Sequence, residues 1–202
     1  MVQSFFAHCF CLGWAIATLG SVVTLPAKVM ATQEAFWYNC RTREVFTPEK
    51  RAWCDRWQVL QNATLTVPAS LAPNPDYIQV TLKNGRYQRS DQKFNVELVN
   101  EKGWMAFGDL NGDGKTDAAA ILGVALDPNG KSIGTYLTAV MDVDGKARSL
   151  APTKLGERIR LNAPIRIADG SIVVPFLTMT EATDRIFVIH EMLREKPQIS
   201  PR

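Results

Sequence analysis

The sequence predicts an α+β fold that is mainly antiparallel β-sheet, with six or more short strands and an N-terminal helix held by a disulfide. Short apolar or alternating segments recur between turn signals over the last two thirds of the chain, a spacing typical of antiparallel sheets. One segment with apolar residues at helical spacing precedes them. The length of 202 residues suits one domain of ordinary size.

Residues 1–31 are predicted to be a signal peptide. Residues 5–25 are mostly apolar and contain no Lys, Arg, Asp or Glu, and the small residues Val29 and Ala31 fit cleavage after Ala31. No basic residue precedes the apolar run, and about 20 apolar residues can span a bilayer, so a retained membrane anchor is the alternative. Cleavage predicts a periplasmic or secreted protein that does not associate with the membrane.

Residues 32–66 are predicted to form a cysteine-bridged aromatic and helical segment. Signal cleavage leaves Cys40 and Cys54, and an even pair in an exported chain indicates a disulfide. Two free thiols or half of a metal site are the alternatives.

The helix of this segment is predicted to begin at Thr47, with Thr at the N-cap and Pro48 at the first helical position. From there Trp53, Trp57 and Leu60 recur at helical spacing and form one apolar stripe. This stripe either packs the helix onto the sheet or forms an aromatic surface for a partner.

Residues 76–193 are predicted to form a β-rich domain that follows a proline-rich hinge at 67–75. Asn84-Gly85 is a strong hairpin signal, and Pro175 is expected to place its strand at a sheet edge or in a bulge. Residues 194–202 are predicted to be a disordered tail. The predicted strands are 77–82, 94–99, 104–108, 118–126, 136–141, 158–162, 172–177 and 185–190.

The segment from Asp109 to Asp117 matches the front of a calcium loop. Oxygen-bearing side chains stand at positions 1, 3, 5 and 9, and a glycine stands at position 6. This pattern suits Ca²⁺, which takes six to eight oxygen ligands and therefore needs a loop that turns sharply around it. Position 12 is Ala120, where an EF-hand has its bidentate Glu, so the loop is expected between strands rather than helices. A turn in which the Asp residues make local Asx hydrogen bonds is the alternative. The predicted Ca²⁺ ligands are Asp109, Asn111, Asp113, Lys115 through its carbonyl, and Asp117.

Two stretches resemble uncharacterised bacterial exported proteins and lipoproteins. Gly108-Asp-Leu-Asn-Gly-Asp-Gly-Lys-Thr-Asp117-Ala-Ala is followed by Gly134-Thr-Tyr-Leu, Leu155-Gly-Glu-Arg and Asp169-Gly-Ser-Ile, in the order of a "GDLNGDGxxDAAV", "GT(F/Y)YL", "LGDR" series. The segment from Cys40 to Cys54 is similar to a "CxTREVWxPEKxAWC" segment of cyanobacterial exported proteins, with Phe46 in place of Trp. The loop also resembles those of FG-GAP repeats, but its single copy excludes a propeller. The resemblance implies a periplasmic location, calcium binding and no known activity.

The composition favours a binding or accessory protein over an enzyme. There are 23 Lys and Arg against 20 Asp and Glu with no basic cluster, so nucleic-acid binding is not expected. No nucleophile motif or phosphate loop is present, and His190 reads as a structural residue of an apolar strand. We therefore expect a monomer with an unidentified protein or envelope partner. The alternative is a hydrolase of an envelope polymer that uses two carboxylates from Glu97, Glu101, Asp142, Asp144, Glu157 and Asp169.

Overall fold

The computed structural model describes residues 37–126, 133–157, 159–177 and 182–188, the last range by its backbone alone. All of them belong to one unit, Gln33–Arg202. In chain order the elements are α1 (Pro48–Gln61), β1 (Thr64–Pro68), β2 (Tyr77–Thr81), β3 (Arg86–Gln88), β4 (Asn95–Leu98), β5 (Met105–Gly108), β6 (Asp117–Ala125), β7 (Ile133–Met141), β8 (Arg148–Ser149), β9 (Thr153–Gly156), β10 (Arg160–Leu161), β11 (Arg166–Ala168), β12 (Ser171–Leu177) and β13 (Ala182–Val188).

The described strands form three sheets, and every pairing in them is antiparallel. The largest has the order β3-β4-β6-β7-β8, with β5 also on β6 and β9 also on β7. A second sheet joins β10, β11 and β13 to β12, and a third consists of β1 and β2. The predicted α+β, mainly antiparallel fold is confirmed.

Strands β6 and β7 lie at the centre of the large sheet and are covered on both faces. Their side chains alternate between two apolar clusters, so Ala118 and Leu122 face one cluster while Ala119 and Ile121 face the other. Helix α1 and strands β1 and β2 contribute to the first cluster, and β11 and β12 contribute to the second. Burial on both faces explains why the sequence of β6 is a continuous apolar run.

Helix α1 begins where the sequence predicts and is held by the predicted disulfide. The Thr47 hydroxyl accepts the backbone N–H of Lys50 at 3.3 Å and caps the helix. Cys40 and Cys54 form a disulfide with their Cα atoms 5.7 Å apart. Trp53 and Trp57 are buried in the first cluster, which confirms that the aromatic stripe packs the helix onto the sheet.

The turn at Asn84-Gly85 forms as predicted. Both residues have positive φ, 52° and 81°, and the N–H of Lys83 donates to the carbonyl of Arg86 at 2.8 Å. The expected hinge at 67–75 starts later than predicted, because Val67 and Pro68 are the last residues of β1 and pair with β2.

The edge position expected for the strand of Pro175 is wrong. Strand β12 is internal, with β10 and β11 on one side and β13 on the other. On one side of β12, strand β11 pairs with residues 171–173 and strand β10 pairs with residues 176 and 177. Pro175 lies in the gap between these two partner strands, so its missing N–H costs no ladder hydrogen bond on that side. At that gap the Pro175 carbonyl accepts the N–H of Asn162 at 3.0 Å.

The predicted signal peptide at 1–31, His190 and the predicted tail at 194–202 lie outside the described residues. In the part of the chain that the structure describes, no helix has both the length and the apolar character needed to cross a membrane.

Candidate metal loop and aromatic cleft

The calcium-type loop connects β5 to β6, so it lies between strands as the sequence predicts. Gly112 and Gly114 have φ of 77° and 78°, a backbone conformation that residues with a Cβ rarely adopt. A Cβ added at either glycine would have no atom within 4 Å, so these glycines are required by the backbone turn and not by crowding. Residues 111–115 are all exposed.

Asp109, at position 1, turns its carboxylate back into the loop. Its Oδ1 accepts the backbone N–H groups of Asn111 at 3.2 Å and Gly112 at 2.7 Å, and its Oδ2 accepts that of Gly114 at 2.9 Å. These bonds, that of Gly114 foremost, hold the pKa of the Asp109 carboxyl below its ordinary value of 3.8. The carboxylate therefore stays charged and directed into the loop over the physiological pH range.

Asn111 and Asp113, at positions 3 and 5, also bond within the loop. Asn111 Oδ1 accepts the N–H of Asp113 at 3.0 Å, and Asp113 Oδ1 accepts that of Lys115 at 2.9 Å. Asn111 Nδ2 donates to Asp113 Oδ2 at 3.1 Å. The Asx hydrogen bonds expected for a turn without metal are thus present.

Asp117, at position 9, is fully buried at the start of β6. Its Oδ2 accepts the N–H of Leu110 at 2.8 Å, and its Oδ1 accepts the N–H of Asp142 at 2.8 Å. The side chain therefore closes the loop on itself and ties it to the turn after β7. These contacts neither require nor exclude the predicted metal contact, because a carboxylate oxygen has a second lone pair.

Further contacts join the loop to the turn after β7, and that turn to helix α1. Lys115 Nζ forms an ion pair with Asp142 Oδ2 at 2.9 Å, and the N–H of Val143 donates to the carbonyl of Thr116 at 2.9 Å. In the same turn Asp144 accepts three hydrogen bonds from Nε and Nη2 of Arg56 in α1. The Lys115 side chain thus ties the loop to this turn, in addition to the carbonyl contact with Ca²⁺ that is predicted for the same residue.

The base of the loop packs against the four-stranded sheet. A Cβ on Gly108 would lie 2.9 Å from Cγ2 of Ile167 in β11, so the close approach of β5 and β11 requires glycine there. Leu110 is buried in the second apolar cluster, and its carbonyl oxygen would lie 3.1 Å from a Cβ on Gly170. The loop therefore contacts both larger sheets at its base while its tip is exposed.

The donor atoms of the loop suit calcium, but their arrangement is incomplete. Carboxylate, amide and carbonyl oxygens are the ligands that Ca²⁺ prefers. Among the described residues, however, no three Asp, Glu, His or Cys side chains lie together as a metal-binding group. Both oxygens of Asp113 already accept a hydrogen bond, from Lys115 N–H and from Asn111 Nδ2, so the ion would use their second lone pairs. The predicted ligands thus belong to one short loop, but their oxygen atoms are not arranged around a common point as a coordination sphere.

A cleft of about 800 Å³ lies beside the disulfide, and no contiguous motif in the sequence marks it. Four aromatic residues, Trp37, Tyr38, Phe46 and Trp57, are among its lining residues, together with both cysteines of the disulfide. Side-chain amides line much of the rest: Asn39, Gln58, Gln61, Asn62, Asn84 and Asn100. These residues come from separate parts of the chain, so only the fold brings them together.

The carboxylates considered for hydrolysis do not gather in this cleft. Of its described lining residues only Asp55 is acidic. Glu97 pairs with Arg86 and Asp142 pairs with Lys115. The hydrogen bond from Arg56 holds the pKa of Asp144 below its ordinary value, the opposite of what a general acid requires.

Comparison of the chain with protein-family models, with curated proteins and with solved structures finds no match.

Proposed function

We propose that this is an exported calcium-binding domain that serves as a binding or accessory protein, with Asp109, Asn111, Asp113, the Lys115 carbonyl and Asp117 as ligands. The observation that carries the proposal is that the side-chain oxygens at positions 1, 3 and 5 all turn back into one nine-residue loop. Because a carboxylate offers about four acceptor sites, Asp109 and Asp113 keep capacity for a cation while accepting these N–H groups.

The position of the loop supports a structural role for the ion. Asp117 ties the loop to the turn after β7, and Gly108 and Leu110 contact the four-stranded sheet. A cation that fixes the exposed tip would hold both connections in place. The weak affinities of extracellular calcium modules, Kd of about 10⁻⁴–10⁻³ M, are enough where external calcium is millimolar. Export itself is proposed from residues 1–31 and from the disulfide, since disulfides persist in oxidising compartments.

Terbium titration of the purified protein tests the proposal, with Trp104 as the sensitiser five residues before Asp109. We expect sensitised emission that calcium competes away, and a calcium-dependent rise in Tm that corresponds to about 2.7 kcal/mol at 100 times Kd. Asp113→Ala should remove both effects. Asp91→Ala is the matched control, because Asp91 is an exposed acid that accepts an N–H in another turn.

Wild-type protein with neither sensitised emission nor a calcium-dependent Tm would overturn the proposal. Equal loss in Asp113→Ala and Asp91→Ala would also overturn it, because the loss would then not be specific to the loop. The carboxylate-dependent hydrolase is not proposed, since no contact among the described residues favours it.

A further inference from the structure

We propose that the cleft beside the disulfide binds a neutral oligosaccharide. Its volume of about 800 Å³ falls within the 300–1,000 Å³ typical of small-ligand sites. The site is separate from the calcium-type loop, none of whose residues line it. The inference therefore goes beyond the proposed calcium function and does not depend on it.

The amides of the cleft suit hydroxyl groups. Asn and Gln side chains carry both a donor and an acceptor, as a sugar hydroxyl does. Each amide can therefore donate a hydrogen bond to a hydroxyl or accept one from it. Within the described part of the chain, the side-chain amides of Gln58, Gln61, Asn84 and Asn100 make no hydrogen bond. Gln58, Asn84 and Asn100 are exposed and Gln61 is half-buried, so all four are accessible to a ligand.

The Asn62 side chain and one backbone hydrogen bond hold two walls of the cleft together. Asn62 caps α1 by donating its Nδ2 to the carbonyl of Gln58 at 2.9 Å, and its Oδ1 accepts the N–H of Asn84 at 3.3 Å. Gly85 donates its N–H to the carbonyl of Gln61 at 2.8 Å. The end of the helix and the tip of the hairpin are therefore held together before any ligand binds.

The aromatic residues suit the C–H faces of sugar rings. Trp37 and Tyr38 are half-buried, so part of each residue remains accessible, whereas Lys50 Nζ lies 4.4 Å from the ring centroid of Phe46 and covers one face of that ring. The negative face of an aromatic ring attracts C–H groups and offers a flat apolar surface. Trp37 Nε1 is in addition a buried donor without a partner among the described residues, and such donors usually have one.

The charge and rigidity of the cleft narrow the class of ligand. Its described lining contains one base, Arg41, and one acid, Asp55, so it favours neither an anion nor a cation. The disulfide joins Cys40 and Cys54, which both line the cleft, and so fixes the N-terminal wall to the helix. A wall that is fixed in advance lowers the entropy cost of binding.

Calorimetric titration with chitotriose and with cellotriose, combined with tryptophan fluorescence, tests the inference. We expect saturable binding of at least one of the two sugars, accompanied by a change in tryptophan emission. Comparison of their affinities shows whether the cleft prefers an N-acetylated glycan or an unmodified one. Trp37→Ala and the double variant Gln58→Ala/Gln61→Ala should each weaken binding at least tenfold.

Val59→Ala is the matched helix control, because Val59 is exposed on α1 and does not line the cleft. Its affinity should stay within twofold of wild type, and circular dichroism should show that every variant is folded. Binding should be equal in calcium and in EDTA, so failure of the calcium proposal leaves this result unaffected. No binding of either sugar by folded wild-type protein, or binding of trialanine in their place, would overturn the inference.

Discussion

The carboxylate of Asp117 accepts the backbone N–H of Asp142 at 2.8 Å, although the two residues are 25 positions apart. The other oxygen of the same buried carboxylate accepts the N–H of Leu110. One charged group therefore satisfies a donor in the loop and a donor in the turn after β7. Hydrogen bonds to a charged group are roughly twice as strong as neutral ones, so Asp117 holds these segments together whether or not calcium binds.

Asp117→Asn should destabilise the protein even in the absence of calcium. The amide keeps one acceptor and turns its NH₂ group toward a backbone N–H, so one buried donor loses its partner. We expect a loss of about 2–4 kcal/mol in the free energy of unfolding, measured by urea denaturation in EDTA. Asp113→Asn in the exposed tip should change this free energy by less than about 0.5 kcal/mol. Equal effects of the two substitutions would contradict this role for Asp117.

The carboxyl of Asp109 should titrate below 3.8 in the folded protein. Three loop N–H groups stabilise its charged form, the Gly114 N–H most of all, and so lower its pKa. A lowered folded pKa gives a stabilisation that is present above the unfolded pKa and is lost as the pH falls through the folded value. The carboxyl resonance of Asp109, followed by NMR, should therefore have its midpoint below 3.8. In urea-unfolded protein the midpoint should return to the ordinary value, and equal midpoints in both states would refute the hydrogen-bonded loop.

The long elements of the fold were predictable because their signals are local. The N-cap at Thr47, the apolar run of β6 and the turn at Asn84-Gly85 each depend on neighbouring residues. Strand β8 contains only two residues and exists only through its pairing with β7. No periodicity can be read from two residues, so this strand could not be predicted.

The calcium-type loop could be predicted from the sequence and the cleft could not, for the same reason. The loop residues 109–117 are contiguous, and their alternation predicts the inward-turned oxygens at positions 1, 3 and 5. The second partner of Asp117 is a backbone N–H of a distant turn, which no spacing reveals. The cleft is lined in part by Asn and Gln residues, which carry no signal of a binding site in the sequence. Only the pairing of helix, hairpin and disulfide brings them to one place.

Reduction of the disulfide should lower stability while leaving the sheets able to form. The bridge closes a loop of 15 residues, from Cys40 to Cys54, for which the chain-entropy model gives about 3 kcal/mol. Urea unfolding with and without dithiothreitol measures the difference, and a Cys40→Ser/Cys54→Ser variant should match the reduced wild type. The aromatic contact of Tyr38 with Trp53, at 6.0 Å between ring centroids, should loosen and alter tryptophan emission. An unchanged midpoint on reduction would show that other contacts alone fix the N-terminal wall.

Gly108→Ala should destabilise the contact between the two larger sheets. The added Cβ would lie 2.9 Å from Cγ2 and 3.1 Å from Cβ of Ile167, and a side chain packed in the second apolar cluster has little room to move. Overpacking of this kind costs about 1–3 kcal/mol, measured as a change in the free energy of unfolding. Ile167→Ala removes Cγ2, so the double variant should lose less than the sum of the two single losses. If the losses in the free energy of unfolding were additive, residues 108 and 167 would not be coupled. The contact between β5 and β11 would then not hold the base of the loop.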